Sequence, residues 1–304
     1  MSKKGNTAFL AIISCLLWAT AYATIKIGLQ YDTPFHFAGL RFIISGILIL
    51  PFAGNLKEYF CEINKHRRLV AEITFFQIVV NYSLFYHGLN MVPGALGAII
   101  VGSQPLITAI IAAIMHQDDK ITKRKMITIF SGIAGVVLIS AGRQALKLGS
   151  ALELLGVLMI ILANAGVSIS NVIVSVRGRG MNPFVLSSST LFLGGLILYL
   201  VSFPVEGIHR ESLPSEYWLT LAWLSFMAAA AFSVWFMLLQ RPGVKVSELN
   251  LWKFIIPGTG AILSWWLVPG ENPDWFTVFG MLVISFSLIL FFSNSPGKKQ
   301  EIIK

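Results

Sequence analysis

Ten apolar runs, separated by short polar connections, account for nearly the whole chain. A helix needs about 20 apolar residues to cross about 30 Å of hydrocarbon. The runs fall at 7–28, 34–53, 69–90, 93–115, 126–142, 151–176, 184–203, 216–239, 246–268 and 275–293. None of the connections is long enough for a folded soluble domain, so the chemistry is expected within or at the edge of a bilayer. The first run has a competing reading. Lys3 and Lys4 precede an apolar stretch and the small-residue runs Ala19-Thr20-Ala21 and Ala21-Tyr22-Ala23, an arrangement that imitates a cleavable signal peptide. Trp18, Tyr22 and Lys26 interrupt or follow the apolar stretch where a short signal core would simply end, which favours a first crossing.

Composition agrees with the pattern. Of 304 residues, 56% are hydrophobic and 12% charged, and the mean hydropathy is +0.75. A soluble chain carries about 25% charged residues. A chain this apolar cannot clothe itself in a water-compatible surface, which excludes a soluble enzyme, a disordered protein and a nucleic-acid binder. The two cysteines, one in an apolar run (Cys15) and one in a basic connection (Cys61), make no disulfide framework.

The net charge of +9 is an orientation signal. With the N-terminus in the cytoplasm, 17 of the 23 Lys and Arg residues fall on inner connections and tails. Only Arg143, Lys147 and Arg210 fall outside, and Lys26, Arg41 and Lys253 lie within runs. That bias satisfies the positive-inside rule with no run added or removed. It predicts a multi-pass protein of the plasma (inner) membrane with both termini cytoplasmic.

The two halves repeat at an offset near 150 residues. Pro34 answers to Pro183, Pro105 to Pro257 and Gly132 to Gly280, and the fourth and ninth runs each lead to an acidic loop (Asp118-Asp119 and Glu271). Five crossings per half is an odd number, so the second half enters from the opposite face. Inverted repeats enclosing a midplane site are the architecture of secondary transporters. The predicted fold is all-α and integral to the membrane: ten transmembrane helices in two inverted five-helix repeats, 1–147 and 148–304, around a central cavity.

With these features in place, the chain resembles the EamA family of the drug/metabolite transporter superfamily. The resemblance rests on Trp18-Ala19 followed by Lys26, Pro34 followed by Arg41, and Gly94-Ala95-Leu96-Gly97-Ala98 followed by Pro105 and Asp118. Three positions depart from it: Asp118 replaces the usual Glu, Thr190 stands where an arginine counterpart would fall, and Ala163-Asn164-Ala165 stands near a common second tryptophan motif. The resemblance implies a ten-helix carrier, with export of amino acids or related metabolites as the leading case.

Charges inside the membrane are the most informative candidates. Lys253 lies about eight residues into its run, hence about 12 Å deep. Arg41 is similarly deep from the other face, and no carboxylate is comparably deep. A buried cation needs an anion or helix carbonyl ends, which a carboxylate or phosphate on the substrate would supply. Arg41 has two further readings, a pair with Asp32 or a brace of the scaffold. Lys26 reads as a snorkelling side chain near the outer end.

Asn164, Ser168, Asn171 and Ser175 share one face of the sixth run, which meets either a water-filled path or a neighbouring helix. Trp18 with Tyr22, Tyr82 with Tyr86, and Gln77 with Asn81 pair along helix faces, and Trp235 is mid-helix, so aromatic rings are candidates to line the cavity. Trp218, Trp223, Trp265, Trp266 and Trp275 fit an interfacial belt. Pro105 and Pro257 are candidate hinges, with a structural kink as the plain alternative. The expected substrate-binding set is therefore Trp18, Tyr22, Arg41, Asn81, Tyr82, Tyr86, Asn164, Asn171, Trp235 and Lys253.

Enzyme chemistry finds no foothold. No G-x-S-x-G, H-E-x-x-H or P-loop is present, and five dispersed histidines offer no ligand spacing. The loop His116-Gln117-Asp118-Asp119 reads as a cap for the fifth helix. No catalytic residue, metal or cofactor is expected; the partners are a small, carboxylate-bearing molecule and the lipid bilayer, with no nucleic acid. The alternative is a membrane enzyme acting on a lipid or small metabolite. Without hydrolysis machinery, transport would be passive or driven by an ion gradient, and the lack of mid-membrane acids weakens proton coupling.

Overall fold

The computed structural model describes residues 3–92, 97, 100–115, 119–141, 151–207, 213–267 and 275–293. Among them all regular structure is helical. The first half comprises α1 (Lys3–Gly28), α2 (Pro34–Ile49), α3 (Leu56–Lys65), α4 (Arg67–Ile73), α5 (Asn81–Met91), α6 (Gln104–Met115) and α7 (Lys123–Ala141). The second comprises α8 (Ala151–Arg177), α9 (Pro183–Glu206), α10 (Ser215–Leu239), α11 (Val246–Leu251), α12 (Ile255–Leu267) and α13 (Trp275–Ser293). Most of the Gly94–Ala98 motif, Asp118, Glu271 and the connections bearing Arg143, Lys147 and Arg210 lie outside the described residues.

Five helical stretches are long and apolar enough to cross a membrane: Pro34–Phe52, Arg67–Leu89, Ala151–Arg177, Pro183–Glu206 and Ser215–Leu239. Gly5–Ala21, Ile100–Met115 and Trp275–Ile289 are shorter apolar helices. The chemistry of two other runs explains their shortfall. α7 opens on Lys123, Arg124 and Lys125, and the ninth run is broken by a 3-10 turn over Trp252–Phe254.

Local sequence sets the helix starts. Pro34 and Pro183 open α2 and α9 at the position where a missing N–H costs nothing. Glu206 at the end of α9 accepts from the backbone N–H of Phe35 (2.9 Å) and His36 (3.1 Å), covering free donors of α2. Between α4 and α5 the backbone widens into a seven-residue π-helix, Thr74–Val80.

The surface is apolar and much of the interior polar, the reverse of a soluble protein. Leu219, Leu282, Phe286 and Trp266 project outward, while Ser168, Ser187, Ser225 and Asn250 are fully buried. Trp266 and Trp275 are each 86% exposed, as a lipid-interface belt requires. Serine hydroxyls join helices in the core: Ser45 donates to Ser225 O (2.9 Å) and Ser188 to Gly46 O (2.7 Å).

Glycine lets three helix pairs approach to backbone contact. A Cβ on Gly39 would stand 2.6 Å from Tyr199 N, and one on Gly195 would stand 2.6 Å from Ile43 N, so α2 and α9 touch. Gly135 and Gly280 do the same for α7 and α13, and Gly88 and Gly156 for α5 and α8. Further packed pairs include α1 with α10, α1 with α12, α6 with α8, α6 with α11, α2 with α10, α9 with α10, α8 with α10, and both α8 and α9 with the π-helix.

Candidate substrate cavity

The break in the ninth run holds the cation singled out by the sequence. Lys253 sits in the 3-10 turn between α11 and α12, and its Nζ lies over two indole rings, 4.9 Å from the centroid of Trp235 and 5.4 Å from that of Trp18. The rings meet edge to face, 5.1 Å apart at 66°. Gln104, the first residue of α6, accepts from Nζ through Oε1 at 3.3 Å. Among the described residues Lys253 has no carboxylate partner.

From Trp18 a line of rings runs across the molecule. Phe232 is 5.6 Å from Trp18, Phe42 is 6.3 Å from Phe232, and Tyr82 is 4.7 Å from Phe42. The Arg41 guanidinium lies over Phe42 (4.5 Å) and Tyr82 (5.2 Å), and Tyr86 follows Tyr82 at 5.9 Å. A cation stands at each end of the aromatic wall, Arg41 buried and Lys253 partly buried, with no acid paired to either among the described residues. Asp32 does not serve Arg41: it binds His36 Nδ1 (2.8 Å) and accepts from the Tyr217 hydroxyl (2.6 Å).

Three buried polar atoms of the wall, Arg41 Nε, Tyr86 Oη and Trp235 Nε1, and Gln104 Nε2 beside Lys253 have no hydrogen-bond partner among the described residues, nor do Gln77 Oε1 and Asn171 Oδ1. Buried polar groups are normally satisfied, so this concentration marks a place where a ligand or water belongs. Asn171 donates through Nδ2 to Asn250 Oδ1 (3.2 Å), three residues before Lys253.

The structure separates the expected site residues. Trp18, Arg41, Tyr82, Tyr86, Trp235 and Lys253 lie along the aromatic wall, and Asn171 is tied to α11, the helix that precedes the Lys253 turn. Asn164 donates to Ile100 O (2.8 Å), and Ser168, one turn on, shares a 2.7 Å bond with Thr108. That part of the polar stripe therefore joins the sixth run to the fourth. Asn81 is the first residue of α5 and is half-buried. The side chains of Tyr22 and Lys26 lie outside the described residues. Pro105 is the second residue of α6, after a turn at Ser103, and Pro257 is the third of α12, after the Lys253 turn. Phe42, Phe232 and Gln104 are additions; two are ordinary apolar residues in sequence, and only Gln104, polar within an apolar run and next to Pro105, carried a signal.

Beyond the membrane-spanning runs, Asp119 joins the halves. It accepts from Lys125 Nζ (2.5 Å), Ser247 N (2.9 Å) and the Ser247 hydroxyl. Of the loop predicted to cap the fifth helix, Asp119 holds the Lys125 side chain of α7 and also reaches α11, and His116, Gln117 and Asp118 lie outside the described residues. Burial raises the Asp119 carboxyl, but the bonds from Lys125 and Ser247 outweigh it and hold it below its ordinary value of 3.8.

Helices with apolar outer faces and a polar, aromatic-lined interior define a multi-pass membrane protein. The profile of the EamA-like transporter family matches residues 5–141 and again 154–293; the chain belongs to this family and is a transporter of the drug/metabolite type. It is 24% identical over 306 residues to the uncharacterized transporter YvbV of Bacillus subtilis, covering 99% of this chain and 96% of that protein. It is 27% identical to an uncharacterized transporter of Acidianus ambivalens, over 75% of this chain and 82% of the other. A solved crystal structure shares the fold, with a TM-score of 0.77, 16% identity, and coverage of 95% of this chain and 97% of that one.

Proposed function

We propose that the protein is a ten-crossing carrier with two inverted repeats, 1–147 and 148–304. On this reading it exports amino acids or related small carboxylate-bearing metabolites across the plasma (inner) membrane by alternating access, with both termini cytoplasmic. The observation that carries the proposal is Lys253, a cation in a helix break, set against indoles with no acid paired to it among the described residues. Discontinuous helices at the midplane are where transporters bind their substrates.

The packing pattern supports the repeat. Counting runs from one to ten, first against eighth (α1 with α10) answers to sixth against third (α8 with α5). First against ninth (α1 with α12) answers to sixth against fourth (α8 with α6), and second against eighth (α2 with α10) answers to seventh against third (α9 with the π-helix). Second against seventh, fourth against ninth and fifth against tenth map onto themselves. A shift of five maps each of these pairs onto one of them, which supports two related halves, although α8 with α10 has no comparable counterpart between α1 and the third run. The breaks at Ser103 and at Lys253 fall in the fourth and ninth runs, which pack on each other and are placed to move.

Purified protein in proteoliposomes should show saturable uptake of a labelled amino acid or related carboxylate, and counterflow when loaded with the unlabelled compound. Chemical conversion of that compound in detergent, without counterflow in vesicles, would replace the carrier with a membrane enzyme. Orientation has its own check. An impermeant thiol reagent applied to intact cells should spare cysteines placed at 54–68 and reach those placed at 204–215. Labelling of 54–68 from outside would overturn the topology.

A further inference from the structure

A corner of two indole rings is a binding site for an alkylammonium head group. In this protein the corner is already filled. Trp18 and Trp235 meet at 66°, and the Lys253 ammonium lies within about 6 Å of both centroids, the range in which a cation is attracted by the ring face. Phe232 adds a third ring 5.6 Å from Trp18. Trp18 and Lys253 are only partly buried, so the corner can be reached from outside the core, whereas Trp235 is 1% exposed and fixed within it.

The polar atoms around the corner are one-sided. Gln104 Oε1 is taken by Lys253, which leaves Gln104 Nε2 and Trp235 Nε1 as buried donors with no partner among the described residues. Together with the ammonium they present three donors. Asn171 Oδ1, an acceptor without a partner among the described residues, is uncharged and belongs to the residue bonded to α11.

We infer that Lys253 is a tethered cation that fills an aromatic cage and sets the charge selectivity of the cavity: it excludes cationic solutes and admits anions with an apolar body. A solute ammonium meets both an occupied cage and a like charge. A carboxylate meets the ammonium and two unpaired donors, while its body lies along the rings. The inference rests on the carrier reading for its consequence in transport, but the cage is a property of binding alone. It follows that removing the lysine charge should invert the preference.

The test is equilibrium binding to the full-length protein in detergent, by tryptophan fluorescence and calorimetry, with tetramethylammonium and benzoate as probes. Wild type should bind benzoate and show no saturable binding of tetramethylammonium. Lys253→Met should lose at least tenfold in benzoate affinity and gain saturable tetramethylammonium binding, and Lys253→Gln should behave alike if the methionine variant folds poorly. Lys253→Arg should still exclude the cation. Adding Trp18→Ala to Lys253→Met should abolish the gained binding, which places it in the cage. Folded Lys253→Met and Lys253→Gln proteins that remain blind to tetramethylammonium would overturn the inference, as would a wild type that binds it equally well. A protein that passes this test but shows no counterflow would refute the carrier and leave the cage standing.

Discussion

Lys253→Met is expected to remove at least nine-tenths of the transport of a carboxylate-bearing substrate while leaving the protein as stable as wild type or more so. An unpaired charge held in the membrane interior costs at least about 2.5 kcal/mol on insertion scales. The structure offsets part of that cost with two ring faces and one neutral hydrogen bond, without an ion pair among the described residues. Methionine keeps the length and apolar stem of lysine and packs against indole, so the fold has little to lose. The substrate loses its one deep counter-charge on this side of the cavity. Initial rates in proteoliposomes and the thermal midpoint in detergent give the two readings. Normal transport of an anionic or zwitterionic substrate by the variant would make Lys253 a bystander.

Asp119→Ala should act in the opposite manner, on stability first. Lys125 and Asp119 side chains are 2% and 3% exposed, and removing one partner of so buried a pair costs about 3–5 kcal/mol because the other charge is stranded. Glu248, 4.0 Å from Lys125 Nζ, is too distant to replace it in full. Ser247 loses its acceptor as well, which frees the start of α11 from the first half. Asp119→Ala combined with Lys125→Met should recover most of the lost stability, since no charge is then stranded; the double-mutant cycle in thermal unfolding measures the coupling. A single variant as stable as wild type would show that the pair is not the clasp between halves. The depressed Asp119 carboxyl also fixes the pH direction. Its contribution is present above the ordinary carboxylate range and is lost as pH falls through the lowered folded-state value.

Much of this arrangement can be read from residue order, because a bilayer enforces simple rules. Run lengths locate the helices, and lysines and arginines give the predicted orientation. A lysine eight residues into an apolar run announces itself by its cost, and Trp18 stands out as a tryptophan away from helix ends, whereas Trp235 lies one turn from the end of α10. Other parts depend on contacts that no local pattern encodes. Phe42 and Phe232 complete the aromatic wall but look like any membrane phenylalanine. Asn164 and Asn171 share one stripe, yet one bonds to the backbone at Ile100 and the other to Asn250, a choice made by which helices lie beside α8. The helix break falls at Trp252–Phe254, ahead of Pro257, because proline tolerates the first turn of a helix and forbids only what precedes it. Asp119 sits beside the fifth helix in sequence and serves the ninth run in space.

The glycine contact between α2 and α9 has a mechanical consequence. With Gly39 against the Tyr199 backbone and Gly195 against Ile43, the two helices mesh like teeth with no clearance. Neither can slide along the other by a residue without driving a side chain into a main chain. One helix of the pair comes from each half, so the halves are pinned where their second members cross. Were the halves to rock against each other, as the proposed carrier would, this strut would be their pivot. At Gly39 and Gly195 even an added methyl would jam the pivot.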